Sequence, residues 1–212
     1  MKQKKSLEEK ILRHKALYYQ GRPEISDSEF DALEEALRAI DPGSNVLQVV
    51  GATPGPGKKV AHHHKMLSLN KVYDLVELSK GRDGHELIST YKIDGVSCSL
   101  IYEEGKFILA KTRGDGSFGE DITAKAKWIA NIPTNLFMTT IKAEVRGEIY
   151  CSEENFYELA KEMAELGLEK PTSQRNIVAG LIGRKDHISL ARYLNFQAFE
   201  IITDDLRFSK EI

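Results

Sequence analysis

Thr90-Tyr91-Lys92-Ile93-Asp94-Gly95 places one lysine at the mouth of a β-hairpin. Val96, Cys98, Leu100 and Tyr102 alternate with Ser97, Ser99 and Ile101, a period of two that predicts a strand. Glu103-Glu104-Gly105-Lys106 predicts the turn, and Phe107 to Lys111 the returning strand. A lysine flanked by a β-branched residue and backed by apolar strands can be partly desolvated. Desolvation lowers an ammonium pKa and can free the amine as a nucleophile. The plainer reading is an ordinary solvated lysine at a strand end. The rest of the chain decides between them.

With 212 residues there is room for one large domain, or for one domain and an appendage. No apolar run approaches the length of a membrane span, and no signal-peptide pattern follows the basic Met1-Lys2-Gln3-Lys4-Lys5. No membrane partner is expected. Cys98 and Cys151 lack metal-site or disulfide-framework spacing, so a reducing, cytoplasmic setting is the default. The net charge of −2 lacks the basic excess of a protein that grips nucleic acid by many phosphates. Any firm DNA grip is expected to be local or to lie on another chain.

Ser6-Leu7-Glu8-Glu9 forms a capping-box pattern, and Leu7, Ile11, His14 and Tyr18 follow at helical spacing until Gly21 and Pro23. A second box, Ser26-Asp27-Ser28-Glu29, opens a helix with Phe30, Leu33, Leu37 and Ile40 on one stripe, ended by Pro42-Gly43. This helical hairpin can bury little surface alone and suits a small docking subdomain. Residues 43–65 are mostly loop chemistry. His62-His63-His64 are successive, so on an extended segment their side chains diverge and do not make one metal site. The domain boundary is drawn between residues 65 and 66, giving segments 1–65 and 66–212.

Thr112-Arg113-Gly114-Asp115-Gly116-Ser117-Phe118-Gly119-Glu120-Asp121 is a glycine-rich loop that either lets backbone approach a ligand or merely joins two elements. Ile122, Ala126 and Ile129 mark a short helical face, with Trp128 just off it and expected to pack. Ile141 to Tyr150 predicts a strand with Ile141, Ala143, Val145 and Ile149 on one face and Lys142, Glu144, Arg146 and Glu148 on the other. The charged face is either self-paired and solvated or a polar wall against a polyphosphate and ribose. Ser152 caps an amphipathic helix that Gly167 ends. A short helix or turn over 176–182 and a strand from Tyr193 to Phe199 complete the pattern.

Lys92-Ile93-Asp94-Gly95, Thr112-Arg113-Gly114-Asp115-Gly116, Gly119-Glu120-Asp121-Ile122-Thr123 and Glu144-Val145-Arg146-Gly147-Glu148 occur in the order and spacing of bacterial-type NAD-dependent DNA ligases. Upstream, Tyr18-Tyr19, Pro23, Ile25, Asp27 and Asp31 resemble the small subdomain that binds the nicotinamide mononucleotide half of NAD. Met66-Leu67-Ser68-Leu69 resembles the segment leading into the adenylation domain, and Arg175-Asn176, Ala179-Gly180 and Arg184 a later arginine-bearing segment. A lone Lys-x-Asp-Gly is weak; the ordered set covers nearly the whole chain.

The resemblance implies an α+β architecture: a helical hairpin, then a nucleotidyltransferase (ATP-grasp-like, DNA ligase) domain with antiparallel sheets, truncated on its C-terminal side. It implies that Lys92 attacks NAD to form an adenylylated lysine, with Asp94 positioning the lysine or a magnesium-bound water; Mg²⁺ is expected near these two residues, not in a protein cage. It implies cofactor contacts from Tyr18, Tyr19, Asp27, Asp31, Ser68, Leu69, Tyr91, Arg113, Arg146, Glu148 and Phe199, the last stacking on adenine. Arg175 and Arg184 match positions near the nucleotide or DNA. The implied partner is nicked double-stranded DNA, and the implied setting the cytoplasm of a bacterium or an infected host cell.

Several positions depart from the family. Thr90 stands where a glutamate usually reads the adenine amino group, Phe30 replaces a usual tyrosine, and Asn70 a common aspartate. The family's later lysine-bearing strand and its DNA-binding domains are absent from the sequence. One subunit of a split ligase, as suits a compact phage or viral genome, is favoured over a fragment or a decayed relic. The rival class is a module that binds NAD or docks a partner without chemistry.

Overall fold

The computed structural model describes residues 2–19, 23–48, 57–69, 72, 74–81, 86, 89–137 and 142–203. Helix α1 (Lys2–Tyr19) and helix α2 (Asp27–Ile40) form the expected hairpin, followed by a single turn, α3 (Asn45–Gln48). The start of α1 differs from expectation: Ser6 lies inside the helix and is not its cap. The second box holds. The Ser26 hydroxyl accepts from the Glu29 N–H, and Glu29 reaches back to the Ser26 N–H. Ile11 and Leu37 are fully buried, each worth about 2 kcal/mol. Lys4–Asp41 and Lys15–Glu34 ion pairs at 2.7 and 3.1 Å flank them.

The second region is built on one four-stranded antiparallel sheet. Beyond β1 (Lys59–Ala61) and a short helix, α4 (Leu75–Gly81), come β2 (Val96–Glu103), β3 (Lys106–Thr112), β4 (Phe118–Glu120), a single turn α5 (Thr123–Ala126) and β5 (Ala143–Tyr150). Helices α6 (Glu153–Glu165) and α7 (Gln174–Gly183), a 3-10 turn (Ile188–Tyr193) and β6 (Asn195–Thr203) follow. The sheet order is β3-β2-β5-β6, with β1 and β4 in a separate two-stranded ladder. The architecture is α+β, as the family resemblance implies.

The two faces of the sheet differ in chemistry. Cys98, Leu100 and Tyr102 of β2 and Ile149 of β5 enter one core with Leu159, Met163, Val178, Leu181 and Leu194. Ile122, Ala126 and Ile129 join it as expected, whereas Trp128 is 45% exposed and does not pack as expected. The opposite face is polar and carries residues 57–66 as a strap. Lys111 Nζ donates to the Ala61 carbonyl at 2.9 Å, and Arg146 donates to the His64 carbonyl at 2.7 Å. Ladder β1–β4 pairs Lys59 with Glu120 and Ala61 with Phe118. Residues 57–65, the end of the linker that the sequence reading placed after the hairpin, therefore pack with the sheet. Among the described residues, no helix is long and apolar enough to cross a membrane.

Candidate active site

The lysine loop enters β2 through Gly95, and that glycine has a steric cause. A Cβ built there would lie 2.0 Å from the Ile149 carbonyl oxygen of β5. The close approach lets the Gly95 N–H donate to Glu148 Oε1 at 3.1 Å, while the Ser97 hydroxyl donates to Glu148 Oε2 at 2.5 Å. Ser97 and Glu148 are direct cross-strand partners. Lys92 itself is exposed, as are Tyr91 and Asp94. The apolar strands behind the loop do not enclose the lysine, so of the two readings the sequence left open the solvated one holds.

Lys92 lines an open cleft of about 660 Å³ between the helical hairpin and the sheet region. Tyr18 and Asp27 come from the hairpin, Lys92 and Asp94 from the loop, and Arg175 from the first turn of α7. The Ser173 hydroxyl caps α7 by accepting from the Asn176 N–H at 3.2 Å, which fixes where Arg175 leaves the helix. Arg175 is ion-paired to Asp94, and its guanidinium lies 4.4 Å from the centre of the Tyr18 ring. That contact is a cation–π geometry, so this ring face accepts a planar cation. Three sequence-distant elements thus meet beside Lys92.

Arg184 is not part of this meeting. It caps the far end of α7 and forms a fork to Asp186, at 3.0 and 3.2 Å. Asp31 is half-buried on α2, and Ser68 and Leu69 are exposed beyond the strap. The Tyr19 side chain and Asn70 lie outside the described residues. Thr90 is exposed at the start of the lysine loop.

The remaining expected contacts lie around the polar face of the sheet. Arg113 follows β3, where its N–H donates to the Ser97 carbonyl at 2.9 Å. The glycine-rich loop closes on itself: Gly114 takes φ +57°, and Asp115 accepts from the N–H groups of Ser117 and Phe118 at 2.9 and 2.7 Å. Burial pushes the Glu148 carboxyl up, and the Ser97 hydrogen bond with the charges of Arg113, Arg175 and Lys92 pulls it only part of the way back. Phe199 sits at a bulge, between Ala198 opposite Gly147 and Glu200 opposite Arg146, and is 62% exposed.

Arg146 differs from its expected placement. Only 7% exposed, it donates to Glu144 at 2.9 Å, Glu200 at 3.1 Å and the His64 and Lys65 carbonyls. Its guanidinium anchors the strap and is directed to protein groups, because residues 57–66 cover this part of the face. The two carboxylates beside it are Glu144 and Glu200; Glu148 turns to Ser97.

Among the described residues, no group of three His, Cys, Asp or Glu side chains could hold a metal ion. His62 contacts the Thr112 carbonyl at 3.0 Å. Cys98 and Cys151 are buried free thiols, both pushed up by burial, Cys151 to about 11.

A sequence model described as NAD-dependent DNA ligase adenylation domain matches residues 57–210. The chain belongs to this family. It is 39% identical over 211 residues to the DNA ligase of Rhodopseudomonas palustris strain HaA2, covering 89% of this chain and 30% of that protein. It is 40% identical over 214 residues to the DNA ligase of a Wolbachia pipientis strain from Culex pipiens, covering 95% and 32%. The DNA ligase of Corynebacterium urealyticum is 35% identical over 206 residues, covering 88% and 29%. The chain therefore spans about 30% of the length of the curated relatives it matches. Within this adenylation domain, Ser97 is the group at the site that sequence reasoning passed over. Its strand alternation was legible, but its partner became visible only with the β2–β5 register.

Proposed function

We propose that this chain carries out the first step of NAD-dependent DNA ligation, the transfer of AMP from NAD to Lys92. The neutral Lys92 amine, its extra proton lost to solvent, attacks the α-phosphorus. The Nζ–P bond forms as the nitrogen releases a second proton to solvent, the bond from phosphorus to the bridging oxygen breaks, and nicotinamide mononucleotide leaves with its phosphate. The carrying observation is the shared cleft, where Lys92 and Asp94 stand with Tyr18 and Asp27 of the hairpin and Arg175 of α7. The Tyr18 ring that meets a guanidinium suits the planar pyridinium of the leaving half. Asp27 and Asp31, with Tyr19, complete that end in this reading.

Arg113, Glu148 and the exposed ring of Phe199 hold the adenosine half, with Tyr91, Ser68 and Leu69 along the approach. Asp94 is the carboxylate that would meet a magnesium ion carried on the NAD phosphates; when bound, the ion supplies positive charge to the phosphoryl group. Arg175 orients Asp94. The helical hairpin is the mononucleotide-binding subdomain, and the sheet with its strap is the adenylation domain.

In the complete reaction, AMP passes to the 5′-phosphate at a DNA nick; the 3′-hydroxyl then attacks that phosphorus, and AMP leaves as the strand is sealed. The parts needed for DNA gripping, which the longer relatives have room for, reside in further residues or in a second subunit. Nick sealing in replication and repair is the corresponding role.

Intact mass spectrometry with NAD and Mg²⁺ tests the reading. An AMP-sized adduct on wild type, absent from Lys92→Ala and removed by nicotinamide mononucleotide, is expected. NAD binding without an adduct, unchanged in Lys92→Ala, overturns it in favour of a binding module.

A further inference from the structure

Ser97 makes two contacts that converge on the nucleotide side of the site. Its hydroxyl donates to Glu148 Oε2 at 2.5 Å, and its carbonyl accepts from the Arg113 N–H at 2.9 Å. Glu148 takes its second bond from the Gly95 N–H, three residues beyond Lys92. One β2 residue therefore joins the lysine loop, the end of β3 and β5. A glutamate side chain has three rotatable bonds, and here both of its oxygens are tied by donors of the same strand entry. The carboxylate is thereby fixed in one orientation while each oxygen keeps a lone pair for a ligand hydroxyl.

We infer that Ser97 is a positioning residue for adenylyl transfer: it orients the Glu148 carboxylate and the backbone at Arg113, the two groups assigned to the ribose half of NAD. This inference rests on the reading of Lys92 as the nucleophile. Ser97 does not touch the reacting atoms. It sets the angle at which its neighbours meet the nucleotide, and small displacements of such groups are costly to rate and affinity.

Two residues along β2, Ser99 supplies a control with the same chemistry. Its hydroxyl donates to Glu144 at 2.8 Å, under the strap and fully buried. The experiment measures the NAD dependence of Lys92 labelling in wild type, Ser97→Ala, Ser97→Thr, Ser99→Ala, Glu148→Gln and the Ser97→Ala/Glu148→Gln double variant. Loss of the Ser97 hydrogen bond is expected to raise the half-saturating NAD concentration about tenfold, with a smaller change in maximal rate. Ser97→Thr restores it, since the hydroxyl is kept. In the Glu148→Gln background, Ser97→Ala adds less than about twofold, the non-additivity of residues acting through one another. Ser99→Ala lowers the melting temperature and leaves the NAD dependence unchanged.

An unchanged NAD dependence in a labelled, folded Ser97→Ala overturns the inference alone. So does full additivity with Glu148→Gln, or a threonine that fails to rescue while remaining folded. Absence of any adduct on wild type is a different result: it overturns the assignment of Lys92, and this inference with it.

Discussion

Two serine–glutamate pairs join the same two strands, and they do opposite work. Ser99–Glu144 lies beneath the strap, with Glu144 6% exposed and also bound by Arg146. Ser97–Glu148 lies beside the lysine loop, with Glu148 bonded to the Gly95 N–H. Burial pushes both carboxyls up. At Glu144 the hydrogen bonds from Arg146 and Ser99, with the charges of Arg146 and Lys111, outweigh it and hold the group below its usual value. At Glu148 they do not, and the group remains raised. The same pair of residue types therefore stabilises the fold in one place and carries a cost at the other. A carboxyl whose burial is not fully offset, beside the lysine loop, is a candidate for a functional role.

The sharpest break of the comparison is Lys92→Ala, which removes the amine that takes AMP in this reading. Labelling should vanish while thermal stability stays at the wild-type level, since Lys92 is exposed. Mass and melting curves check both halves. Next come the two glutamates exchanged for glutamine. Glu144→Gln strips one partner from a buried ion pair and should cost about 3 kcal/mol in denaturant unfolding. Glu148→Gln removes an ionised group held above its ordinary pKa, so folding stability should hold or rise. Its labelling rate should fall on the order of 10²-fold, the scale of a misplaced substrate. If both variants lost stability equally, the distinction between the pairs would fail.

A third variant tests the steric link between them. Gly95→Ala would place a methyl 2.0 Å from the Ile149 carbonyl, forcing the lysine loop away from β5. A stability loss of about 1–3 kcal/mol is expected, as for other overpacked positions. Labelling should fall as well, because the Gly95–Glu148 hydrogen bond breaks with the displacement. Crystals or amide exchange of the variant would show the loop moved and the strap intact.

The elements were more legible in the sequence than their roles. Strand β2 showed its period of two, and Ser26 and Ser152 announced their helices; each is a local signal. The order of the motifs pointed to the family that matches residues 57–210. Arg146 could not be placed from sequence, because its burial depends on a strap some eighty residues upstream that arrives through backbone carbonyls without hydrophobic patterning. The meeting of Tyr18, Asp94 and Arg175 was equally hidden: nothing local in three distant segments states that they share one cleft. For Lys92 the sequence left a partly desolvated and a solvated reading open. The strand pattern was right, but it could not show that the loop leaves the sheet before the core begins.

The smallest effect concerns pH, and its sign separates the two regions most cleanly. On the strap side, burial and the neighbouring Lys111 charge hold His62 below its ordinary value of 6.5, despite the Thr112 contact and the Glu144 charge. Between that lowered value and 6.5 the unfolded chain binds a proton that the folded chain refuses, so stability falls as pH drops through this window. Glu144 adds a second loss below 4.5, where the unfolded carboxyl protonates first. Glu148 acts in the other direction: above 4.5 the folded state holds the proton longer, so acidification through its window favours folding. Urea unfolding as a function of pH should therefore show His62→Gln flattening the slope just below 6.5. Glu144→Gln should remove the loss below 4.5, and Glu148→Gln should steepen the decline above 4.5 by deleting an opposing contribution. A slope unchanged by His62→Gln would mean that the strap does not enclose this ring in solution. The contrast between an enclosed polar face and an open one would then rest on Arg146 and Lys111 alone.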